Sequence, residues 1–335
     1  MTSQNFPVTE STLSADHLGK VLKELYSLGN ESSCKLFRTG INHLYIIADD
    51  NLKFVFRVYT FNWRTKLEIS EELRLLTHLQ ANNIPIACPI PDKDGNFIQI
   101  LNAPEGSRYG VLFSFAEGKK IPQFTEEISF TIGQTMARMH QVTENFSLQR
   151  VEYNPQTLLK DSSRISNRFF GQDSEDMVFV NRTADYLVTE LEKVKDNEIR
   201  SGAIHLDIWF DNMHITENGG VTLFDFDFCG IGWLCLDIAY YMLQLYNTRQ
   251  SDDVYRKKLK SFIDGYESVQ VISAEEKRIL PMIAVSLWFF YLGVQCDRFD
   301  NWSNVFLTPD YLKRFVATIK KWIEYHNLPS GFSGE

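Results

Sequence analysis

No Cys-x-x-Cys pair occurs among the five cysteines, Cys34, Cys88, Cys229, Cys235 and Cys296, and their number is odd. A disulfide framework needs paired, regularly spaced cysteines, and a zinc site needs closely spaced Cys or His ligands. The pattern predicts reduced thiols in a cytoplasmic protein. The opening residues MTSQNFPVTEST carry neither a basic run nor an apolar stretch, so no signal peptide is expected. Basic residues are in the minority: 34 Lys and Arg stand against 43 Asp and Glu, for a net charge of −9. Such a chain repels nucleic acid and anionic lipid, so neither is an expected partner, whereas a neutral or cationic substrate suits it. Internal repeats and low-complexity linkers are missing too. The most apolar stretch, 277–294, is short for a membrane span and contains Pro281, which predicts a buried helix.

What is present is enough for two lobes: 335 residues, 44% hydrophobic and 23% charged. An amphipathic helix is predicted over 14–28, with Leu18, Val21, Leu22 and Leu25 on one face. Strands follow at 36–38, 44–48 and 53–59, then a helix at 66–82 with Ile69, Leu73, Leu76 and Gln80 in one stripe. Residues 86–101 read as a further hairpin and 109–115 as the last strand of the first lobe. After that the chain turns helical. Helices are predicted at 126–142, 176–194, from about Asp237, at 277–294 behind a Ser273-x-x-Glu276 capping box, and after Thr308-Pro309-Asp310. Met136 and Met139 are expected as core fillers, and His140 as a cap or a buried hydrogen-bonding group.

Chemistry concentrates in AIHLDIWFDNMHITENGGVTLFDFDFCGIG, residues 203–232. His205, Asp207 and Asn212 stand in the pattern H-x-D-x-x-x-x-N, and thirteen residues later Asp225 opens Asp-Phe-Asp. Asn218-Gly219-Gly220 is a hairpin turn between them. Two carboxylates and an amide on loops flanking a tight hairpin can converge on one point. Magnesium with a phosphoryl group calls for such oxygen donors, and a separate carboxylate must orient the attacking hydroxyl. Two other charges stand out. Arg57, between Phe56 and Val58 in a strand, is either an edge residue that reaches outward or a phosphate ligand. Glu72 lies on an inward helical stripe, where a carboxylate needs a partner.

The 203–232 stretch resembles the aminoglycoside phosphotransferase family, which includes choline kinase, type II homoserine kinase and the bacterial stress response kinase. The family pattern usually reads H-G-D-x-x-x-x-N followed by a strand ending in Asp. Here Leu206 replaces the Gly, and Trp209 and Asp211 stand where His and Gly are frequent. The resemblance covers about residues 34–245. It implies an α+β, two-lobed, protein-kinase-like fold, with a β-rich nucleotide-binding lobe at 1–115, a hinge about 114–118 and a mainly helical catalytic and acceptor-binding lobe at 116–335. It implies ATP and magnesium as cofactors. Asp207 would orient the acceptor hydroxyl and take its proton, with His205 bracing the catalytic loop. Asn212 and Asp225 would hold magnesium, and Asp227 would stand beside the ion. Arg57 would contact the α- and β-phosphates, with Glu72 as its partner and Glu71 as the fallback. Gly40 and Asn42 would form a turn over the nucleotide. The Ser114 carbonyl and the Ala116 amide would meet adenine. Asp237 would be structural, bonding the catalytic-loop backbone.

The expected reaction is transfer of the ATP γ-phosphoryl group to a hydroxyl of a small molecule: an amino acid, an amino alcohol or an aminoglycoside-like compound. The alternatives are a protein Ser/Thr kinase of the stress response type and a nucleotide-binding pseudokinase, against which the intact Asp207, Asn212 and Asp225 speak. Asp297, Arg298, Asp300 and Trp302 belong either to an acceptor pocket or to a surface loop.

Overall fold

Ser14 starts the chain's first helix by accepting a hydrogen bond from the His17 amide. This helix, α1 (Ala15–Tyr26), buries Leu18 and Leu22 and ends at Ser27 in the left-handed conformation. The computed structural model describes residues 6–195, 198–299 and 305–329. The chain divides into two compact units: Met1–Glu117 with Thr222–Phe224, and Gly118–Val221 with Asp225–Glu335.

In the first unit, β1 (Ser33–Arg38), β2 (Asn42–Asp49) and β3 (Leu52–Tyr59) form an antiparallel meander. Then come α2 (Lys66–Ala81), β4 (Pro89–Ile90), β5 (Gln99–Ala103) and β6 (Gly106–Ser114). The sheet order is β1-β2-β3-β6-β4, with β5 also on β6. Alternation puts Tyr45 and Ile47 of β2, Phe56 and Val58 of β3, and Leu112 of β6 on one face, where they pack on Leu18 and Leu22. Each such side chain contributes about 1.5–3 kcal/mol by leaving water.

Two local expectations give way. The expected hairpin at 86–101 does not form, since β4 and β5 do not pair with each other: β4 pairs with β6 at Pro89 and Ile90, and β5 pairs with β6 from Gln99 to Ala103. Asp92 turns the chain between them by accepting the Asp94 and Asn96 amides. In α2, Gln80 is exposed and Leu79 takes the inward place. Leu76 to Leu79 is the closer helical step to the buried face. Thr65 and Glu68 form a capping box at its start.

The second unit holds α3 (Glu126–Thr143), β7 (Glu152–Tyr153), α4 (Ser162–Phe170) and α5 (Glu175–Leu191), then β8 (Ser201–Ile204), β9 (Met213–Ile215), β10 (Val221–Leu223) and β11 (Gly230–Trp233). Of β10, Thr222 and Leu223 belong to the first unit, where Leu223 exchanges backbone bonds with Pro85 and Ala87. β11 lies between β8, antiparallel, and β7, parallel. Helices α6 (Cys235–Asn247), α7 (Asp252–Glu267), α8 (Ala274–Asp297) and α9 (Pro309–Tyr325) complete it. Helix α7 is not among the expected elements, because only Tyr255, Phe262, Gly265 and Tyr266 of its polar sequence turn inward. Helix α8 is long and apolar enough to cross a membrane, yet 72% of its most apolar window is buried against the rest of the protein. Trp322 of α9 donates to the Pro281 carbonyl there. None of the five cysteines is in a disulfide.

Helices α3 and α7 touch through glycines. A Cβ on Gly133 would lie 2.1 Å from the Phe262 carbonyl oxygen, and one on Gly265 would lie 2.1 Å from that of Phe130. Elsewhere a helical Gly→Ala change gains about 1 kcal/mol. Here the obstacles are backbone atoms, so the clash decides the sign. Gly133→Ala and Gly265→Ala are each expected to lose roughly 1–3 kcal/mol in urea unfolding. A gain in either midpoint contradicts this packing.

Candidate active site

Strand β8 delivers the chain into the loop that carries His205, Asp207 and Asn212. The loop backbone is fixed from below by Asp237, in the first turn of α6. Its Oδ2 accepts the His205 amide at 3.0 Å and its Oδ1 accepts the Leu206 amide at 2.6 Å. His140 Nε2 lies 3.1 Å from the same Oδ2, and His140 Nδ1 lies 2.7 Å from the Tyr266 hydroxyl. A carboxylate only accepts, so His140 Nε2 carries a proton toward Asp237. Asp237, His140 and His205 are fully buried. A buried carboxylate is tolerable only with its oxygens satisfied, and here three donors meet it.

Leu206 adopts φ of +66°, in the left-handed region. That is the conformation glycine takes freely and a Leu does not. Both of its backbone groups are occupied: the amide by Asp237, the carbonyl by the Tyr291 hydroxyl at 2.9 Å. The strained turn sets the position of Asp207, the next residue. The Asp207 amide donates to His205 Nδ1 at 3.2 Å, and the His205 ring rests on Phe226 with centroids 4.2 Å apart. His205 is thus a brace for the loop, away from solvent.

The Asp207 carboxylate is held at both oxygens. Asn212 Nδ2 donates to Oδ2 at 2.7 Å and to the Asp207 carbonyl at 3.0 Å. The Tyr240 hydroxyl donates to Oδ1. Asp207 keeps part of its surface open but is enclosed on most sides. Burial raises its pKa to about 7; the nearby charge of Asp225 pushes the same way, while the Tyr240 and Asn212 hydrogen bonds pull it down. Asp225 also has a positive φ, +67°, and is half-buried. Asp227 is buried, and its carbonyl accepts from Arg150 at 2.5 Å. Asp211 pairs with Lys120 at 2.6 Å.

Magnesium fits this donor set. With its amide nitrogen committed to Asp207, Asn212 has its oxygen left to offer, and Asp225 adds a carboxylate, so both are the hard oxygens magnesium takes. The mutual repulsion of Asp207 and Asp225 is what a cation relieves. Among the described residues no three His, Cys, Asp or Glu side chains are grouped to hold an ion unaided, so substrate oxygens would have to complete its shell.

In the first unit, Arg57 lies in the interior strand β3, which removes the edge-residue alternative. Its Nη1 is 2.7 Å from Glu72 Oε1, and the Tyr59 hydroxyl donates to Glu72 Oε2 at 3.1 Å. The guanidinium lies over the Phe113 ring at 4.9 Å. Glu72 is fully buried, while Glu71 is paired with Arg74. Gly40 does not use a left-handed backbone, and a Cβ there would make only ordinary contacts, so this turn does not require glycine. The Asn42 side chain accepts the Thr60 amide at 3.3 Å. Ser114 is tied to Cys88 by its amide at 2.8 Å and its hydroxyl at 2.9 Å, and Ala116 is buried. In the second unit, Asp297 is exposed and Arg298 buried. Asp300 and Trp302 lie outside the described residues.

Sequence reasoning missed Tyr240 and Tyr291. The signal for Tyr240 was its place three residues after Asp237, on the same helix face. For Tyr291, within an apolar helix, the sequence carries no signal.

The model of the phosphotransferase enzyme family matches residues 33–272. A homoserine kinase of Neisseria meningitidis serogroup B is 27% identical over 262 residues, 76% of this chain and 80% of that protein. Two solved structures share the fold. The amicoumacin kinase hAmiN, in complex with AMP-PNP, Ca2+ and Ami, has a TM-score of 0.75 at 18% identity, covering 92% of this chain and 94% of that one. A microcompartment-associated aminopropanol kinase has a TM-score of 0.74 at 19% identity, covering 92% and 95%. These likenesses agree with the mixed α+β architecture, an antiparallel N-terminal sheet followed by a helical C-terminal part.

Asp237→Asn turns an amide donor toward an amide it must accept from, and is expected to cost about 1–3 kcal/mol in urea unfolding. Asp211→Asn, which removes the partly exposed pair with Lys120, is expected to cost about 1 kcal/mol or less. Equal losses for the two contradict the role given to Asp237.

Proposed function

The chain belongs to the phosphotransferase enzyme family and is a kinase, and from that premise we propose that it transfers the γ-phosphoryl group of ATP to a hydroxyl of a small amine-bearing molecule. The observation that carries this reading is the Asp207 carboxylate, aimed by a strained turn and held beside Asn212. The relatives point to the acceptor class by their names: homoserine is a hydroxy amino acid and aminopropanol an amino alcohol. A net charge of −9 suits such acceptors.

In this reading Asp207 orients the acceptor hydroxyl and takes its proton as the bond to phosphorus forms. Its raised pKa suits a group that accepts a proton near neutral pH. Asn212 and Asp225 would hold magnesium, which would neutralise charge on the phosphates of the nucleotide. Arg57, aimed by Glu72, contacts the α- and β-phosphates. The backbone about Gly40 and Asn42 faces the phosphates, and the Ser114 carbonyl and Ala116 amide bond adenine. Residues 1–115 thus serve nucleotide binding and 116–335 catalysis and acceptor binding. No covalent intermediate is required of the protein, so positioning and electrostatics supply the rate.

Incubation with γ-labelled ATP and a panel of amino alcohols, hydroxy amino acids and aminocyclitols tests the reaction. Label is expected on one small-molecule class. Label on protein alone, or ATP binding without turnover, contradicts the reading. Asp207→Asn is expected to lower turnover by roughly a hundredfold to ten-thousandfold while magnesium–ATP still binds. Asp225→Asn is expected to weaken magnesium-dependent ATP binding as well, and the opposite assignment of losses would reverse the two roles.

Arg57 and Glu72 give a separate check. If they serve ATP as one unit, Arg57→Met and Glu72→Gln are non-additive in ATP affinity, with coupling of roughly 0.5–3 kcal/mol. Additive effects, or unchanged affinity in both, would confine the pair to a structural role.

A further inference from the structure

One face of α6 reaches the catalytic loop twice. Asp237 takes the His205 and Leu206 amides. One turn further on, Tyr240 donates its hydroxyl to Asp207 Oδ1. Residues three apart on a helix project side by side, so the two contacts come from one rigid element. We propose that Tyr240 is a positioning residue for phosphoryl transfer, locking the plane of the Asp207 carboxylate so that it meets the acceptor hydroxyl. The proposal rests on the role given to Asp207 above.

The geometry explains why a second clamp matters. Asn212 alone holds Oδ2 and leaves the carboxylate able to rotate about its terminal bond, which is a soft torsion. Tyr240 at the other oxygen removes that freedom. Each carboxylate oxygen has two acceptor sites, so the phenol and an incoming hydroxyl can both be accommodated. Tyr240 itself has little room to move. It is 3% exposed. Its ring packs on Tyr291, with centroids 5.3 Å apart, and Tyr291 in turn bonds the Leu206 carbonyl. Burial and the neighbouring Asp207 raise the Tyr240 pKa well above its ordinary value, so the phenol remains a donor. The phenol therefore joins the backbone clamp to the side-chain clamp.

A merely structural phenol would affect stability and leave the chemical step alone. Tyr240→Phe keeps the ring against Tyr291 and removes the hydroxyl, with its donation to Asp207 and its hydrogen bonds with Gln244 and Tyr291. ATP consumption in the presence of the amino alcohol and hydroxy amino acid panel gives kcat, calorimetry with magnesium–ATP gives nucleotide affinity, and a thermal melt reports folding. The expected result is a kcat lowered about 10- to 100-fold, since small misplacements of a reacting group have effects of that size, with magnesium–ATP affinity within about twofold of the parent. Added to Asp207→Asn, Tyr240→Phe is expected to lower kcat no further, because it acts through that carboxylate. An unchanged kcat in Tyr240→Phe, or an equal fractional loss on both backgrounds, overturns the proposal. If Asp207→Asn itself leaves turnover intact, the role of Asp207 fails, and with it any positioning through Asp207.

Discussion

The site depends first on one buried carboxylate. Asp237 gathers the His205 amide, the Leu206 amide and the His140 ring on two oxygens, with no exposed surface of its own. Charged hydrogen bonds of this kind are stronger than neutral ones, and their loss leaves buried groups unsatisfied. They fix the backbone just before Asp207. Through that backbone they set the direction of the Asp207 side chain, the proposed base. Helix α6 is therefore a jig as well as a packing element, and its core position makes the jig stiff.

The departure at Leu206 follows from the same contact. A left-handed Leu costs about 1–3 kcal/mol where a Gly costs nothing comparable. Its side chain is fully buried, and that burial returns about 1.5–3 kcal/mol. The two terms nearly cancel, so the Asp237 and Tyr291 contacts decide the conformation. This explains how a bulky residue can hold a left-handed turn before Asp207. The turn is kept by its partners rather than by the intrinsic preference of the residue.

Much of this was legible in the sequence because it was local. The spacing of His205, Asp207 and Asn212 reflects one loop, and a capping box or an alternating strand declares itself over a few residues. Glu72 was legible as a carboxylate in an inward stripe, and Arg57 as a cation inside an apolar strand, and the structure joins them at 2.7 Å. What escaped was set by distant packing. The hydroxyls of Tyr240 and Tyr291 matter because α6 and α8 bring them to the loop; only the spacing of Tyr240 from Asp237 hints at it, and nothing within α8 announces Tyr291. The pairing of β4 and β5 along one strand, in place of a hairpin, depends on β6.

Native-state hydrogen exchange at the Leu206 amide tests the central claim, that Asp237 holds the catalytic loop from within the core. The account predicts exchange only through global unfolding, with an opening free energy equal to that from urea unfolding. Exchange at Leu206 as fast as in the exposed turn at 218–220 would contradict it.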